Sequence, residues 1–274
     1  MTVALIDADI LVYESAYRCQ QTVEWEPGEY TQHASFDEGT QDFYNSVKFI
    51  VESVGADSAI LALTDSDREA NFRRKVWPGY KAHRESPGDN RPLLYKALRD
   101  HIRENYTVRQ KPGIEADDTI GILATGEDIK DLPPVEERVI CSIDKDLDTV
   151  PGRHFNWRKP ELGVYYIHEP TAFYALMLQT LCGDKTDGYP GLPGVGQVRA
   201  TRLLDSLGEL FLKSDLDYYK SAMWHAVVTA FEKHGLTEDD AVVQARCARI
   251  LQACDWDWEK NEPVLWEPPK REMQ

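Results

Sequence analysis

The sequence predicts an α/β fold, a mostly parallel sheet flanked by helices with a helical lobe toward the C-terminus, on three observations. Short apolar runs of strand length recur through the first half of the chain, separated by segments with helical spacing. Three of those runs lead into an aspartate: Asp7, Asp65 and Asp144. From residue 169 onward the pattern is mainly helical. Alternating strands and helices imply a parallel sheet, and such sheets bind ligands beyond the carboxyl ends of their strands. Three carboxylates remote in sequence are therefore expected to meet at one sheet edge.

Residues 2–6 (TVALI) form an apolar run suited to a buried strand ending at Asp7. A polar stretch with Pro27 and Gly28 follows, and 41–54 places Phe43, Val47, Ile50 and Val54 at helical spacing. Residues 58–63 (SAILAL) read as a second buried strand before Thr64 and Asp65. Residues 66–89 are basic and irregular, 91–104 predict a helix, and 106–110 a strand leading through Pro112–Gly113 into a helix over 115–124. Residues 138–143 (RVICSI) predict a further strand. The tail, 262–274, is proline-rich and is expected to run along the surface or fray. The organisation this implies is an α/β core over 1–168 containing the basic region 66–90, a helical lobe over 169–261, and the extended tail 262–274.

With 274 residues, 42% of them apolar and 10% aromatic, the chain can build a large packed core, which excludes a disordered protein. Five cysteines without CxxC spacing fit free thiols in a reducing compartment. No signal peptide or transmembrane run can be read at the start, so a soluble, cytoplasmic protein is expected. The net charge of −16 should repel a polyanion. On composition alone the reading is an acidic enzyme with no nucleic-acid partner. Bound divalent metals and a local basic stretch would reverse that, and the sequence has the makings of both.

The acids of interest are Asp7, Asp65, the cluster Glu115, Asp117 and Asp118, the pair Asp144 and Asp146, and Asp184 with Asp187. Hard cations such as Mg²⁺ take oxygen ligands and keep several waters, so a few carboxylates from different loops suffice. A two-metal site, with ions about 3.5–4 Å apart, would stabilise the attacking and leaving oxygens of an in-line displacement. Plainer accounts exist for each segment. Acids at 115–118 fall in the first turn of a helix, where the macrodipole favours them. Asp-x-Asp pairs in loops are commonly solvated. Asp144-x-Asp146-x-Asp148 opens like an EF-hand loop, but Thr149 and Phe155 stand where glycine and glutamate are required. Asp9 is expected to point away from Asp7.

Between residues 68 and 84 lie Arg68, Arg73, Arg74, Lys75, Lys81 and Arg84. This run directly follows Asp65, so its side chains are candidates to hold a phosphate or spread transition-state charge; a solvated basic loop is the alternative. Residues 191–204 (GLPGVGQVRATRLL) make a tight turn with Gly191, Gly194 and Gly196 before a helix starting near Gln197. Backbone N–H groups at such a turn suit a phosphate, and Arg199 and Arg202 extend the basic surface. Tight helix–helix connections also need glycine. The spacing is not that of a Rossmann fingerprint, and no Walker-A lysine follows.

Several segments together, LIDADILVYES, ILALTDS, YKAHR at 80–84, EADDTIG, VICSIDKDLDTVP, LQTLCGDKTDGYPGLPGVG and ARIL at 248–251, resemble the 5′-nuclease superfamily. This flap endonuclease/PIN-like group includes the 5′-nuclease domain of bacterial DNA polymerase I and the phage 5′-to-3′ exonucleases. The likeness is above all to the double-strand-specific exonucleases of short-tailed bacteriophages. It runs in order from residue 4 to about 251, and GDKTDGYPGLPGVG is its most specific part. The resemblance implies a PIN-like core followed by a helix–hairpin–helix lobe (helix-three-turn-helix). By it, Asp7, Asp65, Glu115, Asp117 and Asp118 form a first metal cluster, with Asp118 among the catalytic acids. Asp144, Asp146, Asp184 and Asp187 form a second.

Tyr80, Lys81 and Arg84 would then lie at the base of a mobile arch, with Lys81 and Arg84 acting on the scissile phosphate. DNA contacts are expected from these and from Arg73, Arg74 and Lys75. The 191–204 turn would grip a duplex backbone, with K⁺ held there in relatives. Gln197 and Arg199 depart from the family's usual proline or small residue and lysine. The implied activity is 5′-to-3′ hydrolysis of double-stranded DNA, needing Mg²⁺ with Mn²⁺ as substitute, releasing 5′-phosphates and extending to RNA in RNA–DNA hybrids. A structure-specific flap endonuclease is the alternative. Implied partners are DNA with a 5′ end or flap and a replication single-strand-binding protein, for a monomer acting in the cytoplasm, the host's if the protein comes from a phage.

Three rivals share parts of the pattern. A haloacid-dehalogenase-like phosphatase would use Asp7 and Asp9 as nucleophile and acid, whereas the nuclease needs Glu115 and Asp118. A PIN-type endoribonuclease shares the first cluster without needing the 191–204 turn. A non-catalytic DNA-binding protein would use its acids only as helix caps.

Overall fold

Strand β1 (Val3–Asp7) is apolar until its last residue and buried throughout, as a central strand covered on both faces must be. Successive side chains alternate: Ala4 and Ile6 join one core cluster, Val3 and Leu5 the other. The computed structural model describes the chain except for residues 68, 86–90, 206, 208–214 and 271–274 and the side chains of 84 and 85. Around β1 lies a sheet of six strands in the order β5-β4-β1-β6-β7-β8, where β4 is Ser58–Ala62, β5 Val108–Arg109, β6 Arg138–Cys141, β7 Gly152–Phe155 and β8 Tyr165–Ile167. Neighbours are parallel except β8, which runs antiparallel to β7. Asp7 pairs with Ala62 in register, so the chain leaves β1 and β4 at the same edge, and β6 ends one residue short of it, Cys141 opposite Ile6.

Helices α1 (Ala8–Arg18), α2 (Phe36–Val54) and α4 (Tyr95–Asn105) cover one face through Leu11, Phe43, Ile50, Leu98 and Ile102. Helix α5 (Ala116–Thr125) covers the other through Ile120 and Leu123. The lobe comprises α6 (Glu169–Cys182), α7 (Gln197–Asp205), α8 (Leu216–Lys233) and α9 (Glu238–Ala248), packed around Trp224. No described helix is long and apolar enough to cross a membrane.

Within the core, the structure differs from the sequence reading in four places. The stretch after Asp7 is helix α1, whose Ala8, Leu11, Val12, Ser15 and Ala16 are buried at helical spacing. The segment holding Pro27 and Gly28 is an exposed hairpin of β2 (Gln20–Glu26) and β3 (Glu29–Ala34). The basic stretch contains a short helix, α3 (Phe72–Val76), capped by Asn71. Strands β7 and β8, with four and three residues, are too short for periodicity to reveal.

The C-terminal division also changes. After α9 the chain returns to the core, where Leu251 and Trp256 pack with Phe72, Ile114 and Ile122. Gly121 admits this return, since a Cβ there would lie 2.3 Å from the Leu251 carbonyl oxygen. A two-stranded hairpin of β9 (Trp256–Asp257) and β10 (Glu262–Pro263) follows. The tail does not fray through residue 266, because Trp266 packs edge-on against Trp224 at 5.3 Å and its carbonyl accepts from Arg246 Nε at 3.0 Å. Burying one such side chain is worth about 1.5–3 kcal/mol, enough to order a short extended segment. Residues 271–274 lie outside the described chain.

Candidate active site

The ends of β1, β4 and β6 at the carboxyl edge each lead to an acid. Asp7 closes β1 at the start of α1 and is 3% exposed; its Oδ2 accepts from Ser142 Oγ at 3.3 Å, and its Oδ1 is buried without a partner. Asp65, just past β4, accepts from the backbone N–H of Gly113 at 2.9 Å. Glu115 is the N-cap of α5, and Asp117 lies in the first turn with a buried, unpartnered Oδ1. After β6, Asp144 accepts from the Asp146 N–H at 2.9 Å, and Asp146 accepts from Gln179 Nε2 of α6 at 2.8 Å. Asp184 accepts from the N–H groups of Thr186 and Asp187 at 2.6 and 3.1 Å, which folds the loop that follows α6. Asp7, Asp65, Glu115, Asp117, Asp144, Asp146, Asp184 and Asp187 all line one cavity of about 1020 Å³.

So many carboxylates in one cavity disfavour one another's charge. Burial pushes Asp7 up to about 7, with Asp9 and Asp144 adding to the shift. Burial, then Asp7 and Asp144, holds Asp117 well above the usual carboxylate range. Asp146 is likewise pushed up to about 7 by burial, with Asp144 next in effect. A divalent cation relieves this strain, favouring the ionised form of every acid beside it. The donor set is all oxygen, as hard cations require, and the unpartnered oxygens of Asp7 and Asp117 are acceptors of the kind such an ion would use. The residues present therefore fit divalent ions. Among the described residues no three His, Cys, Asp or Glu side chains already enclose a single point, so ligation needs side-chain adjustment within the cavity.

The base of the basic stretch is knitted to the second acidic loop. Lys81 has a left-handed backbone (φ 52°), and its N–H donates to the Asp187 carbonyl at 2.7 Å. Trp77 Nε1 donates to the Gly188 carbonyl at 2.9 Å. Gly188 cannot carry a side chain, because a Cβ would fall 2.5 Å from the Gly79 carbonyl oxygen. Tyr80 Oη reaches Glu115 Oε2 at 2.9 Å and Asp187 Oδ2 at 3.0 Å. Lys81 Nζ donates to Glu115 Oε1 at 2.6 Å. Burial pushes Glu115 up, but Lys81 and Arg73 outweigh it and hold the group below its ordinary value.

Several sequence expectations are corrected here. Asp118 does not line the cavity. It is fully buried, bonded through both oxygens to Arg73 at 2.7 Å, and also accepts from the N–H groups of Glu115 and Leu251. Arg73, 1% exposed, further donates to the carbonyls of Cys247 and Arg249 at the end of α9. It is therefore a buried tie between core and lobe and not a DNA contact. Tyr80 is 2% exposed, with its hydroxyl turned to the acids of the cavity. Asp9 faces the cavity after all, with one oxygen bonded to Arg99 Nη1 at 2.7 Å and the other to the Thr64 N–H at 2.9 Å.

Arg74 is half-buried and pairs with Glu69, whereas Lys75 is exposed. Arg68 and the side chain of Arg84 lie outside the described residues. The sequence reading misses Ser142 and Gln179 behind the acids, and Arg91, Lys96, Arg99 and Arg103 on the cavity wall. The last three, spaced three and four residues apart, were readable as one basic helical face.

The glycine turn begins where the second acidic loop ends. Gly183 and Gly191 touch backbone to backbone: a Cβ on either would lie 2.2–2.3 Å from main-chain atoms at the other end of the loop. Gly191 is buried and its N–H donates to Gln244 Oε1 at 2.8 Å, so its own amide is not available to a phosphate. Gly194, Gly196, Arg199 and Arg202 are exposed, and Arg199 Nη1 donates to the Gly194 carbonyl at 2.8 Å.

A cavity of clustered acids with cationic side chains on its wall suits phosphodiester hydrolysis, and fold and site together define a nuclease. The chain belongs to the 5′-3′ exonuclease family, whose N-terminal resolvase-like domain it matches over residues 2–166. It is similar to the exodeoxyribonuclease of Enterobacteria phage T3, at 28% identity over 97% of this chain and 93% of that one. It is similar to the exonuclease of Escherichia phage T7 at 27% identity with the same coverage. A 5′-3′ exonuclease of Mycobacterium tuberculosis is 32% identical over 53% of this chain and 54% of its own. Among solved structures, a phage T5 protein co-crystallised with metal ions has a TM-score of 0.52 at 17% identity, covering 90% of this chain and 93% of that one. A phage T5 flap endonuclease in a pseudo-enzyme-product complex with DNA and metal ions gives 0.51 at 16% over the same share of each chain. Those two share the fold.

Proposed function

We propose that this 5′-3′ exonuclease hydrolyses double-stranded DNA from its 5′ ends, using Mg²⁺ held in the carboxylate cavity and leaving 5′-phosphates. The observation that carries the reading is the convergence of eight of the nine expected acids, from five segments, on one cavity, with Asp7 and Asp146 pushed up to about 7 and Asp117 shifted the same way. When bound, two divalent ions supply Lewis-acid stabilisation of the attacking and leaving oxygens of an in-line displacement. Asp7, Asp65, Glu115 and Asp117 would hold one ion, and Asp144, Asp146, Asp184 and Asp187 the other. Ser142 and Gln179 orient Asp7 and Asp146 from behind.

Lys81 and Arg84 act on the scissile phosphate, while Lys96, Arg99 and Arg103 line the wall along which the strand approaches. The exposed part of the 191–204 turn, with Gly194, Gly196, Arg199 and Arg202, holds the duplex backbone away from the chemistry, and Arg74 and Lys75 add contacts between the two. The same reading carries Mn²⁺ as a substitute, K⁺ at the turn, RNA removal from hybrids, a single-strand-binding protein as partner, a monomeric state and action in the cytoplasm. It also divides the chain into a catalytic core over 1–168 and a duplex-holding lobe from 169, after which the chain packs back on the core.

Flap cleavage is the second reading, supported by the fold shared with a phage T5 flap endonuclease. The phosphatase reading loses its acid, because both oxygens of Asp9 are bonded, one of them to Arg99. Incubating 5′-labelled duplex, flap and single-stranded DNA with Mg²⁺ or EDTA tests the proposal. Short 5′-phosphorylated products from the duplex, formed only with Mg²⁺, are expected. Intact duplex under both conditions would refute it, and release of a whole flap in preference would select the second reading.

A further inference from the structure

The family resemblance implies that Lys81 acts on the phosphate, but in the folded chain its ammonium lies on the acids. Nζ is 2.6 Å from Glu115 Oε1 and 3.4 Å from Asp187 Oδ2, with its side chain only 18% exposed. Glu115 opens helix α5 and Asp187 closes the loop after α6, so Lys81 joins the two halves of the acidic cavity. Tyr80 Oη spans the same two carboxylates from the neighbouring residue. Both oxygens of Glu115 thus face donors from residues 80 and 81. The Lys81 backbone N–H donates to the Asp187 carbonyl in a left-handed turn, so its side chain leaves the main chain beside the acids.

We propose that Lys81 is a built-in counter-cation of the cavity: it neutralises Glu115 and Asp187 before divalent ions arrive, competes with them for those oxygens, and is released toward the phosphate when they bind. The inference rests on the metal-dependent reading above. An ammonium has no acceptor and forms charge-assisted bonds with carboxylates, so an oxygen that turns to a divalent ion gives up some of its bonding to Lys81. Metal binding and phosphate capture would then be one exchange: the same event that fills the cavity frees the lysine for the substrate.

The test needs no DNA. Calorimetric titration with Mn²⁺ should show Lys81→Met binding about tenfold more tightly than wild type, the size of effect one charge-assisted hydrogen bond carries, and Lys81→Arg, which keeps the charge, within about twofold. Lys81→Gln serves as a second neutral variant. In the wild-type protein, Mg²⁺ should increase labelling of the Lys81 amine by an acylating reagent, read by mass spectrometry. Equal or weaker Mn²⁺ binding by the neutral variants, or unchanged labelling of wild type, overturns the inference while leaving the nuclease reading in place. Failure of the wild-type protein to bind Mn²⁺ at all overturns both.

Discussion

Asp117 and Asp118 are neighbours in sequence with opposite fates. Asp117 faces other acids across the cavity, and its pKa is raised by burial and by Asp7 and Asp144. Asp118 turns inward to a guanidinium and two backbone N–H groups. Asp117→Asn should therefore stop cleavage while leaving the melting temperature unchanged or higher, because it removes repulsion. Asp118→Asn breaks a buried ion pair and should cost about 3–5 kcal/mol in urea unfolding. Equal stability of the two variants would contradict the assignment. The acids also fix a pH signature. Asp7 is raised in the folded chain, from 3.8 to about 7, so its stabilising contribution is fullest when it is protonated and is lost as pH rises through that window. Without metal, this group makes melting fall from pH 5 to pH 8, and Mg²⁺ should restore most at pH 8, where the ligands are ionised. A Mg²⁺-induced shift of the same size at pH 5.5 and pH 8 would count against it.

Elements set how these residues meet, and the sequence shows some of them more plainly than others. The apolar runs of β1, β4 and β6 were readable because strands buried on both faces are apolar almost throughout, and each leads to its acid. Helix α1 was missed because Asp9, Tyr13, Glu14 and Tyr17 interrupt the apolar run, although the buried positions keep helical spacing. The inward turn of Asp118 could not be read at all, since its partner Arg73 lies 45 residues away in a stretch whose charge suggested a surface. The wall of α4 is legible in principle from Lys96, Arg99 and Arg103, whose helical spacing lies beyond the basic run at 68–84. At the glycine turn, the motif located the element without showing which amides are free: Gly191 is bonded to Gln244, and Gly194 and Gly196 are exposed. Arg199→Ala and Arg202→Ala should each reduce the slope of log affinity against log salt by about one for duplex DNA of any sequence. An unchanged slope would remove α7 from the interface.

Over the whole molecule, the lobe is not an appendage. Arg73 bonds to carbonyls at the end of α9, Leu251 and Trp256 pack under the core, and Trp266 returns to Trp224 in the lobe. The chain crosses between the two parts more than once, so the surface proposed to hold the duplex is fixed relative to the acids. A net charge of −16 is compatible with DNA as substrate because the acids of the cavity can be neutralised by bound cations, and basic side chains stand along its wall. The anomalous scattering of a crystal soaked in Mn²⁺ tests this most directly. Strong peaks inside the cavity, one near Asp7, Glu115 and Asp117 and another near Asp144, Asp146 and Asp184, are expected. A soaked crystal whose cavity shows no peak, or whose Mn²⁺ binds only elsewhere on the surface, would contradict the account.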